Sequence, residues 1–421
     1  MATLQHPIEY RVVDADNHYY EPLDVFERYI DPRYRARTFT VHDTDDGYKE
    51  VRFDGRPFGF VGGAGQRQRV RPGALRARLR GEQPNEEPEF DDSYAAEPAA
   101  RLQLMDAQGI EATWMYPSTG VTLENLLVDD PELLMAHFDA LRRWLDETWG
   151  FANQNRIFSA VPLTLIDVDF AVAQLEAALA AGARVIQLLP GPGSWGRSPA
   201  DPIYDPFWSR VNEAGALVTF HLGNSGYMER YSGDWGENPD PDGVKAASGW
   251  RGTGATGPDN KGHGRSSFQW MMYYRDRPIM ETIANLMYNN FFGRFPNINV
   301  ASVENGAIWV PYLLAVMDNM KGMGRNGPWP NGYVSGKFSD IFRERVFVSP
   351  HHFTEDIGAL IELIGASQVL FGSDFPHAEG MSGVDDYRDR TAELVARANR
   401  SEDEIRMFLR DNALGLLGVP T

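Results

Sequence analysis

VLFGSDFP, residues 369–376, is a short apolar run that ends in Gly-Ser-Asp, an aromatic residue and a proline. Buried parallel strands read as short apolar runs bounded by turn residues. Seven other segments show an apolar run with a polar end, and helical patterns separate them. They are residues 10–18, 111–117, 157–165, 184–190, 217–223, 298–306 and 345–350. Eight such units predict an α/β fold, a (β/α)8 TIM barrel.

The segments between the strands carry helix signals. In IDVDFAVAQLEAALAAG (166–182), Asp167 is placed to cap the N-terminus and Gly182 to follow the last turn, with apolar residues at helical spacing between them. Near the end of the chain, Ser401 and Glu404 have the spacing of a capping box. These signals predict helices that pack on the outside of the barrel.

The chain of 421 residues fits one domain, 1–421, built on a barrel of roughly 250 residues with insertions. The first insertion, at about 36–95, contains DDGYKEVRFDGRPFGF, in which two Asp-Gly pairs flank an alternating stretch and predict a β-hairpin or meander. Its arginine-rich segment, 67–80, is expected to pair with neighbouring carboxylates. The second insertion, at about 224–276, is a long loop after strand five that is expected either to cover the site as a lid or to pack on itself or on a partner subunit.

The composition excludes several classes of protein. Acidic residues outnumber basic residues by 59 to 40, a net charge of −19 that repels phosphate backbones and anionic lipid surfaces, so we expect neither a nucleic-acid nor a membrane partner. The absence of cysteine excludes disulfides, thiolate metal sites and a cysteine nucleophile. With no signal-peptide pattern at the start, we expect a cytoplasmic protein.

Side chains able to bind a metal ion fall at the ends of the predicted strands. Alternation along DADNH (14–18) places Asp14, Asp16 and His18 on one side of the first strand. The fifth, sixth and eighth strands end near His221, Glu304 and Asp374. Because the carboxyl ends of barrel strands meet at one mouth, we expect these side chains to converge.

The donors in this set are those that zinc, or a harder ion such as manganese, accepts. A single histidine at a strand end is usually just a partly buried residue, but several buried carboxylates together would be costly without a cation. The sequence therefore predicts one divalent ion held by Asp16, His18, His221 and Asp374. Asp14 is a candidate ligand that we expect instead to brace the loop. An ion with an open position lowers the pKa of its bound water to about 7.

Other residues near the predicted mouth are candidates for substrate contact. His351 and His352 follow the seventh strand, although helix capping explains the polarity there equally well. His377 lies three residues beyond Asp374 and is placed either to orient it or to touch substrate. The long loop after His221 contributes Tyr227 and Trp235, aromatic residues suited to a flat or apolar substrate.

These residues resemble the amidohydrolase-related proteins, specifically the family 2 group that includes aminocarboxymuconate-semialdehyde decarboxylase and the aromatic-acid decarboxylases. The segments that carry the resemblance are DADNH, FHLG, ENGAIWVP and FGSDFPHAEG, and RDNALGLLGV is similar to the closing helix of the family. The resemblance spans the whole chain, and FGSDFP is its specific match. It implies that Asp374 is both the last ligand and a proton acceptor, and that the protein is a homodimer.

The chain departs from the pattern of this family at two positions. Asp16 stands where the family usually has histidine, and a carboxylate there favours manganese over zinc. Glu304 stands where the family places a histidine that moves protons, a role that a buried glutamate is able to take as a general base. The fourth strand ends without lysine, so the bridge of binuclear relatives is missing and one ion is expected.

Three functions are compatible with this sequence. The first is a metal-dependent hydrolase that directs a metal-activated water at an amide, ester or lactone of a small aromatic or apolar molecule, with Asp374 and Glu304 as catalytic residues. The alternative is a non-oxidative decarboxylase of an aromatic or enol carboxylic acid. The third is a barrel that binds metal and ligand without turnover.

Overall fold

A computed structural model of the chain describes residues 8, 10–45, 47, 49–53, 55–57, 71–75, 93–193, 196–236, 268, 271, 276–351, 354–383 and 385–419. All eight predicted strand segments lie within these ranges. Much of both predicted insertions, including most of the arginine-rich segment and of the long loop, lies outside them. The expected pairing of those arginines and the lid therefore stay predictions.

Seven of the eight predicted segments contain strands of parallel sheets. The strands of the chain are β1 Val12–His18, β2 Thr40–Asp43, β3 Lys49–Phe53, β4 Arg56–Pro57, β5 Ile110–Tyr116, β6 Ile157–Ser159, β7 Val161–Pro162, β8 Val185–Leu188, β9 Leu217–His221, β10 Val300–Val303 and β11 Val346–Val348. One parallel sheet has the order β1-β5-β6 and the other the order β11-β10-β9-β8-β7. Strands β6 and β7 belong to one predicted segment, separated only by Ala160, so this segment joins the two sheets.

The eighth predicted segment closes the barrel without forming a regular strand. At one edge, the Leu370 N–H donates to the Val348 carbonyl at 2.9 Å, and at the other edge the Ala15 N–H donates to the Phe371 carbonyl at 2.8 Å. Further along, the His18 N–H donates to the Phe375 carbonyl at 2.7 Å. The segment thus pairs with both β11 and β1, and the predicted TIM barrel is confirmed.

Helices surround this barrel, and the two helix starts predicted from capping residues are confirmed. Asp167 accepts from the Phe170 N–H at the start of its helix, and Ser401 and Glu404 form a complete capping box. Within the described ranges, the α-helices are α1 Val25–Tyr29, α2 Ser93–Ala96, α3 Pro98–Gln108, α4 Leu123–Leu127, α5 Pro131–Thr148, α6 Val168–Ala180, α7 Asp205–Ala214, α8 Tyr227–Asp234, α9 Asp276–Tyr288, α10 Phe291–Arg294, α11 Trp309–Met323, α12 Phe338–Arg345, α13 Ile357–Ile364, α14 Asp385–Ala398, α15 Glu402–Arg406 and α16 Asn412–Leu416. In the described ranges, no helix has the length and apolar character needed to cross a membrane.

The core has two layers, one between the strands and the helices and one inside the barrel. The inner layer is filled by Val13, Ala15, Ala112, Trp114, Tyr116, Phe158, Ala160, Val185, Leu217, Ala301, Val303, Phe347 and Leu370. Residues of α16 and the turn after it pack against this layer, and Arg184, just before β8, donates to the Leu417 carbonyl at 3.0 Å. The amino ends of the strands are therefore plugged, which leaves the carboxyl ends for a site.

The first insertion begins with the predicted β meander. Strands β2, β3 and β4 form a three-stranded antiparallel sheet in that order. The two turns contain Gly47 at φ +84° and Gly55 at φ +72°, left-handed conformations that glycine adopts without a steric penalty.

A buried histidine joins this insertion to α5. His137 is fully buried, its Nδ1 lies 2.7 Å from the Leu133 carbonyl oxygen and its Nε2 lies 2.9 Å from Thr38 Oγ1. Burial lowers the pKa of His137 to about 4. Because the folded pKa lies below the unfolded value of about 6.5, its contribution to stability is complete above pH 6.5 and is lost as the pH falls toward 4.

We therefore expect the free energy of unfolding of the wild type, relative to His137→Gln, to fall by on the order of 2 kcal/mol between pH 7 and pH 5. Urea unfolding at the two pH values measures the difference. His42→Gln, which changes an exposed histidine of the same insertion, is the control. A difference between wild type and His137→Gln that does not change with pH would contradict the assignment.

Candidate metal centre

Five side chains from four strand ends meet at the carboxyl mouth of the barrel. They are Asp16, His18, His221, Glu304 and Asp374. Potential ligand atoms of the first four lie within 4.8 Å of one another, and a second group of the same kind joins His18, Glu304, Asp374 and His377. Three of the four residues predicted as ligands, Asp16, His18 and His221, thus share the first group, and Asp374 lies in the second; His18 and Glu304 belong to both.

The distances between these atoms match those of ligands around one ion. His18 Nε2 lies 3.4 Å from both Asp16 Oδ1 and Asp374 Oδ1. His221 Nε2 lies 3.4 Å from Asp16 Oδ1 and 3.3 Å from Glu304 Oε2. Nitrogen and oxygen ligands of zinc lie about 2.1 Å from the ion, so two of them at a tetrahedral angle are about 3.4 Å apart.

The bare protein leaves these atoms unsatisfied. Asp16 Oδ1, His18 Nε2 and His221 Nε2 are buried and find no hydrogen-bond partner within the described part of the chain. Buried polar atoms are nearly always paired, so three unpaired atoms that face one another indicate a missing partner. The partner that suits two imidazole nitrogens and three carboxylates is a divalent cation, and the donor set therefore fits one.

The electrostatics indicate the same demand for positive charge. Burial by itself lowers the pKa of His18, but Asp16 and Asp374 beside its Nε2 raise it to about 9. Burial raises the pKa of Asp374, yet His377 and His18 together bring it below its usual value. The carboxylates around His18 and the imidazoles around Asp374 thus favour positive charge at the mouth, which a divalent ion would supply.

Hydrogen bonds from outside the cluster orient the imidazole of His221 and hold the main chain of His18. His221 Nδ1 lies 2.8 Å from the Leu222 carbonyl oxygen, which fixes the tautomer whose Nε2 lone pair points at the cluster. At the end of β1, buried Arg101 donates to the His18 carbonyl at 2.6 Å and also to the Asn17 side chain. The position of His18 is therefore held by its main chain.

Asp14 lies outside the cluster. Its carboxylate accepts from the Ser373 N–H at 3.0 Å, from Asn17 Nδ2 at 2.8 Å and from the Tyr387 hydroxyl at 3.1 Å. Burial raises the pKa of Asp14 to about 6, against the lowering effect of the bonds from Ser373 and Asn17. Asp14 braces the eighth segment against β1, the role that we expected for it.

The prediction that Asp14, Asp16 and His18 share one side of β1 is wrong. The register of β1 against β5 shifts between Asp14 and Asn17. Strict alternation stops at such an irregularity because the shift re-aims the side chains that follow it. Asp14 therefore bonds to Tyr387 of α14, while Asp16 and His18 reach the mouth.

Two of the residues that carry these carboxylates have an unusual backbone conformation. Glu304 has φ +60° and Asp374 has φ +55°, in the left-handed region that few residues other than glycine adopt. Such conformations cost roughly 1–3 kcal/mol each and concentrate at functional sites. In both, the turn directs the carboxylate toward the mouth at the point where the strand ends.

His377 connects Asp374 to a chain of hydrogen bonds. Its Nδ1 lies 2.7 Å from Asp374 Oδ1 and its Nε2 lies 3.0 Å from Ser118 Oγ, which in turn donates to the Tyr19 carbonyl at 2.9 Å. The ring lies 3.9 Å from the ring of His18, centre to centre. Of the two roles open for His377, orienting Asp374 is the one that these contacts support.

Of the remaining candidates for substrate contact, His351, Tyr227 and Trp235 are described, and none of them belongs to the two groups of potential metal-binding atoms. His351 Nδ1 is 3.4 Å from Thr354 Oγ1 in its own loop, and His352 lies outside the described residues. Tyr227 is buried and donates to Glu281 Oε2 at 2.7 Å, and Trp235 is 78% exposed. Their predicted contacts with substrate stay predictions.

Comparison with known proteins places this chain in a family. A family model described as amidohydrolase matches residues 13–419. The chain belongs to the amidohydrolase family. No match was found among curated proteins.

Solved structures of similar proteins cover nearly the whole chain. An amidohydrolase from Mycobacterium avium subsp. paratuberculosis K-10 is 31% identical over 98% of this chain and 99% of its own, with a TM-score of 0.80. A dihydroxybenzoic acid decarboxylase from Polaromonas sp. JS666 with bound manganese shares the fold, with 16% identity over 97% of each chain and a TM-score of 0.57. The fold is also that of 5-carboxyvanillate decarboxylase from Sphingomonas paucimobilis, with 15% identity over 98% of this chain and 100% of the other and a TM-score of 0.58. Membership of this enzyme family supports a catalytic protein over a barrel that only binds.

Two features of this amidohydrolase centre were not predicted from the sequence. One is that Glu304 offers an atom to both groups that could hold a metal ion: its convergence on the mouth was predicted, but we assigned it to proton transfer and not to metal binding. The other is the supporting set around β1, namely Arg101, Ser373 and Gly372. Arg101 on the buried side of α3, with Met105 and Gln108, was an available signal, since arginine is rarely buried without a specific partner.

Gly372 leaves space for the side chain of Asp16, one of the predicted metal ligands. A Cβ built on it would lie 2.6 Å from Asp16 Cβ and 2.6 Å from Ser349 Oγ, closer than real Cβ atoms approach. Gly372→Ala is therefore expected to displace Asp16 and to weaken metal affinity about 10- to 100-fold, the range seen when support of a ligand is lost. Titration of the metal-depleted protein with manganese measures the effect.

The control for Gly372→Ala is Gly322→Ala. Gly322 lies inside α11 and a Cβ there meets nothing within 4 Å. This change should leave manganese affinity at the wild-type value. Equal affinity of the two variants would show that Asp16 is not constrained by Gly372.

Proposed function

We propose that this amidohydrolase-family protein is a metal-dependent lyase that removes carbon dioxide from an aromatic or enol carboxylic acid. The observation that carries the proposal is the full-length likeness to decarboxylase structures, combined with a centre made of nitrogen and oxygen donors. Manganese is bound in the dihydroxybenzoic acid decarboxylase, and the three carboxylates here suit a hard ion of this kind. The predicted choice of manganese over zinc rests on the same donors.

The reaction breaks one carbon–carbon bond and adds one proton. The electron pair of the bond stays on the ring or enol carbon, carbon dioxide leaves, and a proton takes its place. A divalent ion held by Asp16, His18, His221 and Asp374 would supply positive charge that stabilises the negative charge that develops on the substrate.

Asp374 is the group placed to pass the proton. Its Oδ1 is within 2.7 Å of His377 Nδ1 and 3.4 Å of His18 Nε2, so two imidazoles border one carboxylate oxygen. His377 is in turn held by Ser118 at the opposite nitrogen. A proton that enters along His377 therefore has a short route to the mouth, which is the geometry that general acid catalysis needs.

Hydrolysis of an amide, ester or lactone is the second candidate function. The observation that favours it is the position of Glu304. Glu304 Oε2 lies 3.3 Å from His221 Nε2 at the edge of the cluster. A carboxylate in this place is able to take a proton from a metal-bound water as well as to bind the ion. The 31% identical amidohydrolase is consistent with either reaction.

Two probes with the same ring separate these functions. Manganese-loaded protein is incubated with 2,6-dihydroxybenzoate and, separately, with its methyl ester, and the products are carbon dioxide with resorcinol or methanol with the acid. The proposal expects carbon dioxide from the acid, no methanol from the ester, and no product after chelation. Release of methanol alone would establish the second candidate, and a panel of ring-carboxylated phenols that yields no carbon dioxide would overturn the first.

The homodimer and the cytoplasmic location expected from the sequence remain part of this proposal. Size-exclusion chromatography with light scattering, read against the chain mass of 47.2 kDa, measures the first of them.

A further inference from the structure

One helix on the outside of the barrel exposes an apolar face. The inner side of α11 is part of the hydrophobic core. On its outer side the large apolar side chains stay exposed: Ile308, directly before the helix, by 65%, Tyr312 by 61%, Met320 by 46% and Met323 by 80%. These are four of the nine exposed large apolar side chains in the described ranges, so such residues are concentrated on α11.

The outer face of α11 also lacks charge. Its other exposed residues up to Met323 are Pro311, Ala315, Asn319 and Gly322. Steps of three and four residues put them on the same face as Ile308 and Tyr312. The two charged residues of the helix are used within the chain, since Asp318 accepts from the Phe338 N–H at 2.7 Å and Lys321 donates to the Gly336 carbonyl.

Another long helix shows the pattern that is usual for a helix in contact with water. The exposed residues of α5 are all charged, and they are Glu132, Arg143, Asp146 and Glu147. A surface helix normally has apolar residues on one side and polar or charged residues on the other, whereas a helix that is apolar all round is buried. Helix α11 therefore has the composition of a helix that is covered on both sides.

The size of the outer face of α11 suits a contact between proteins. Its four large side chains expose the equivalent of about two and a half whole side chains, or roughly 500 Å² at about 200 Å² each. The smaller exposed residues enlarge the face further. Contiguous apolar patches of more than a few hundred Å² mark interaction surfaces, and a standard interface takes about 800 Å² from each partner. The face thus supplies most of the area that a stable contact needs.

Charge decides which partner fits this face. The chain has a net charge of −19, so two copies repel each other over most of their surfaces. A two-fold contact sets a face against itself, and the outer face of α11 meets its own copy without like charges. A basic protein attracted to this acidic chain finds no carboxylate on the face. The partner that fits is therefore a second copy of the chain.

The order of residues along α11 also suits a two-fold contact. Ala315 lies midway between Ile308 and Met323, and a small residue at the centre lets two helices pack closely. In an antiparallel pair with the axis near Ala315, Ile308 lies against the partner's Met323, and Tyr312 lies against the partner's Asn319. The large apolar residues at the two ends of the face therefore meet each other.

We propose that the outer face of α11 is the contact through which two copies of this chain form a homodimer. The inference rests on the homodimer of the proposed function and adds the surface that forms it. Helix α11 starts five residues after Glu304, at the carboxyl end of β10. One end of the contact therefore lies beside the metal centre.

Sedimentation velocity of the variant Tyr312→Glu tests this surface. The wild type is expected at twice the chain mass of 47.2 kDa at micromolar concentration. Tyr312→Glu should raise the dissociation constant of the dimer at least about 100-fold, because a two-fold contact brings two new carboxylates together. Ile203→Glu is the control at another exposed apolar side chain and should dimerise as the wild type does. Met323→Glu repeats the test if Tyr312→Glu does not fold.

The absence of cysteine from the chain allows a second test that leaves the contact intact. Residues at the centre of a close contact between two helices reach the Cα separation of about 4.4–6.8 Å that a disulfide needs. Ala315→Cys should therefore give a disulfide-linked dimer under mild oxidation, measured on a non-reducing gel. Ile203→Cys is the control and should run as the single chain.

Three results would overturn the inference: a monomeric wild type, a dimer that survives both glutamate variants, or no excess of linked dimer in Ala315→Cys over Ile203→Cys. A dimer that survives both glutamate variants would leave the expected homodimer in place and exclude only this surface. A monomeric wild type, the result if another segment of the chain or a different protein covers the face, would exclude the homodimer and the surface together. The proposed decarboxylation is measured separately, as release of carbon dioxide.

Discussion

Asp374→Asn is expected to purify with about a tenth or less of the metal of the wild type and to lose activity on the order of 10³-fold, since it removes a ligand charge and a proton carrier together. Asp374 Oδ1 faces both His18 and His377, at 3.4 and 2.7 Å. Asparagine keeps the size of the side chain but does not carry the negative charge that binds the ion. Metal analysis and the carbon dioxide assay measure the two losses separately.

The backbone at this position makes the variant informative. Asp374 has φ +55°, and its N–H donates to the Asp16 carbonyl at 2.9 Å. Asparagine is among the residues that adopt left-handed backbone most readily, so the turn should survive the change. A loss of metal in a protein that keeps its circular dichroism spectrum is then a property of the site and not of the fold.

Asp340→Asn is the matched control for Asp374→Asn. It makes the same chemical change at an exposed position of α12 and should leave metal content and activity at the wild-type values. If Asp374→Asn retains one ion per chain, then Asp374 is not a ligand. Its role in the proposed function would then be confined to proton transfer.

The parts of the fold that follow from local sequence were predictable. Apolar runs with polar ends located the seven segments that contain the parallel strands, and the capping residues Asp167 and Ser401 marked the starts of two helices. The eighth segment was found by the same pattern, although it pairs through single bridges. Its ladder is interrupted where Ser373 bonds to Asp14 and Asp374 enters the left-handed region.

The parts that depend on several segments at once were not predictable. Alternation gave the wrong side for Asp14 because a register shift in β1 is invisible in the sequence of β1 alone. The convergence of Glu304 on the mouth was predicted, but the left-handed backbone that directs its carboxylate at the end of β10 is reported by no helical or strand pattern.

The variant Glu304→Gln tests whether Glu304 is a metal ligand or only a general base. The change keeps the shape of the side chain and removes one of three neighbouring carboxylates, so the metal-free protein should be no less stable than the wild type. If Glu304 binds the ion, manganese affinity falls about 10- to 100-fold and the stabilisation by saturating manganese shrinks by about 1.4–2.7 kcal/mol. Thermal unfolding with and without manganese, with exposed Glu362→Gln as control, measures this.

The distances favour the ligand role, because Glu304 Oε2 is 3.3 Å from His221 Nε2 and 3.7 Å from His18 Nε2, within the same spacing as the other metal-binding atoms. A base that acts only on water does not need to border both imidazoles. Unchanged manganese affinity with lost activity would reverse this assignment and make Glu304 the proton acceptor of a hydrolase. Weakened affinity would instead mean that Glu304, at a position where the resembled family has a proton-moving histidine, is a metal ligand and adds a third carboxylate to the site.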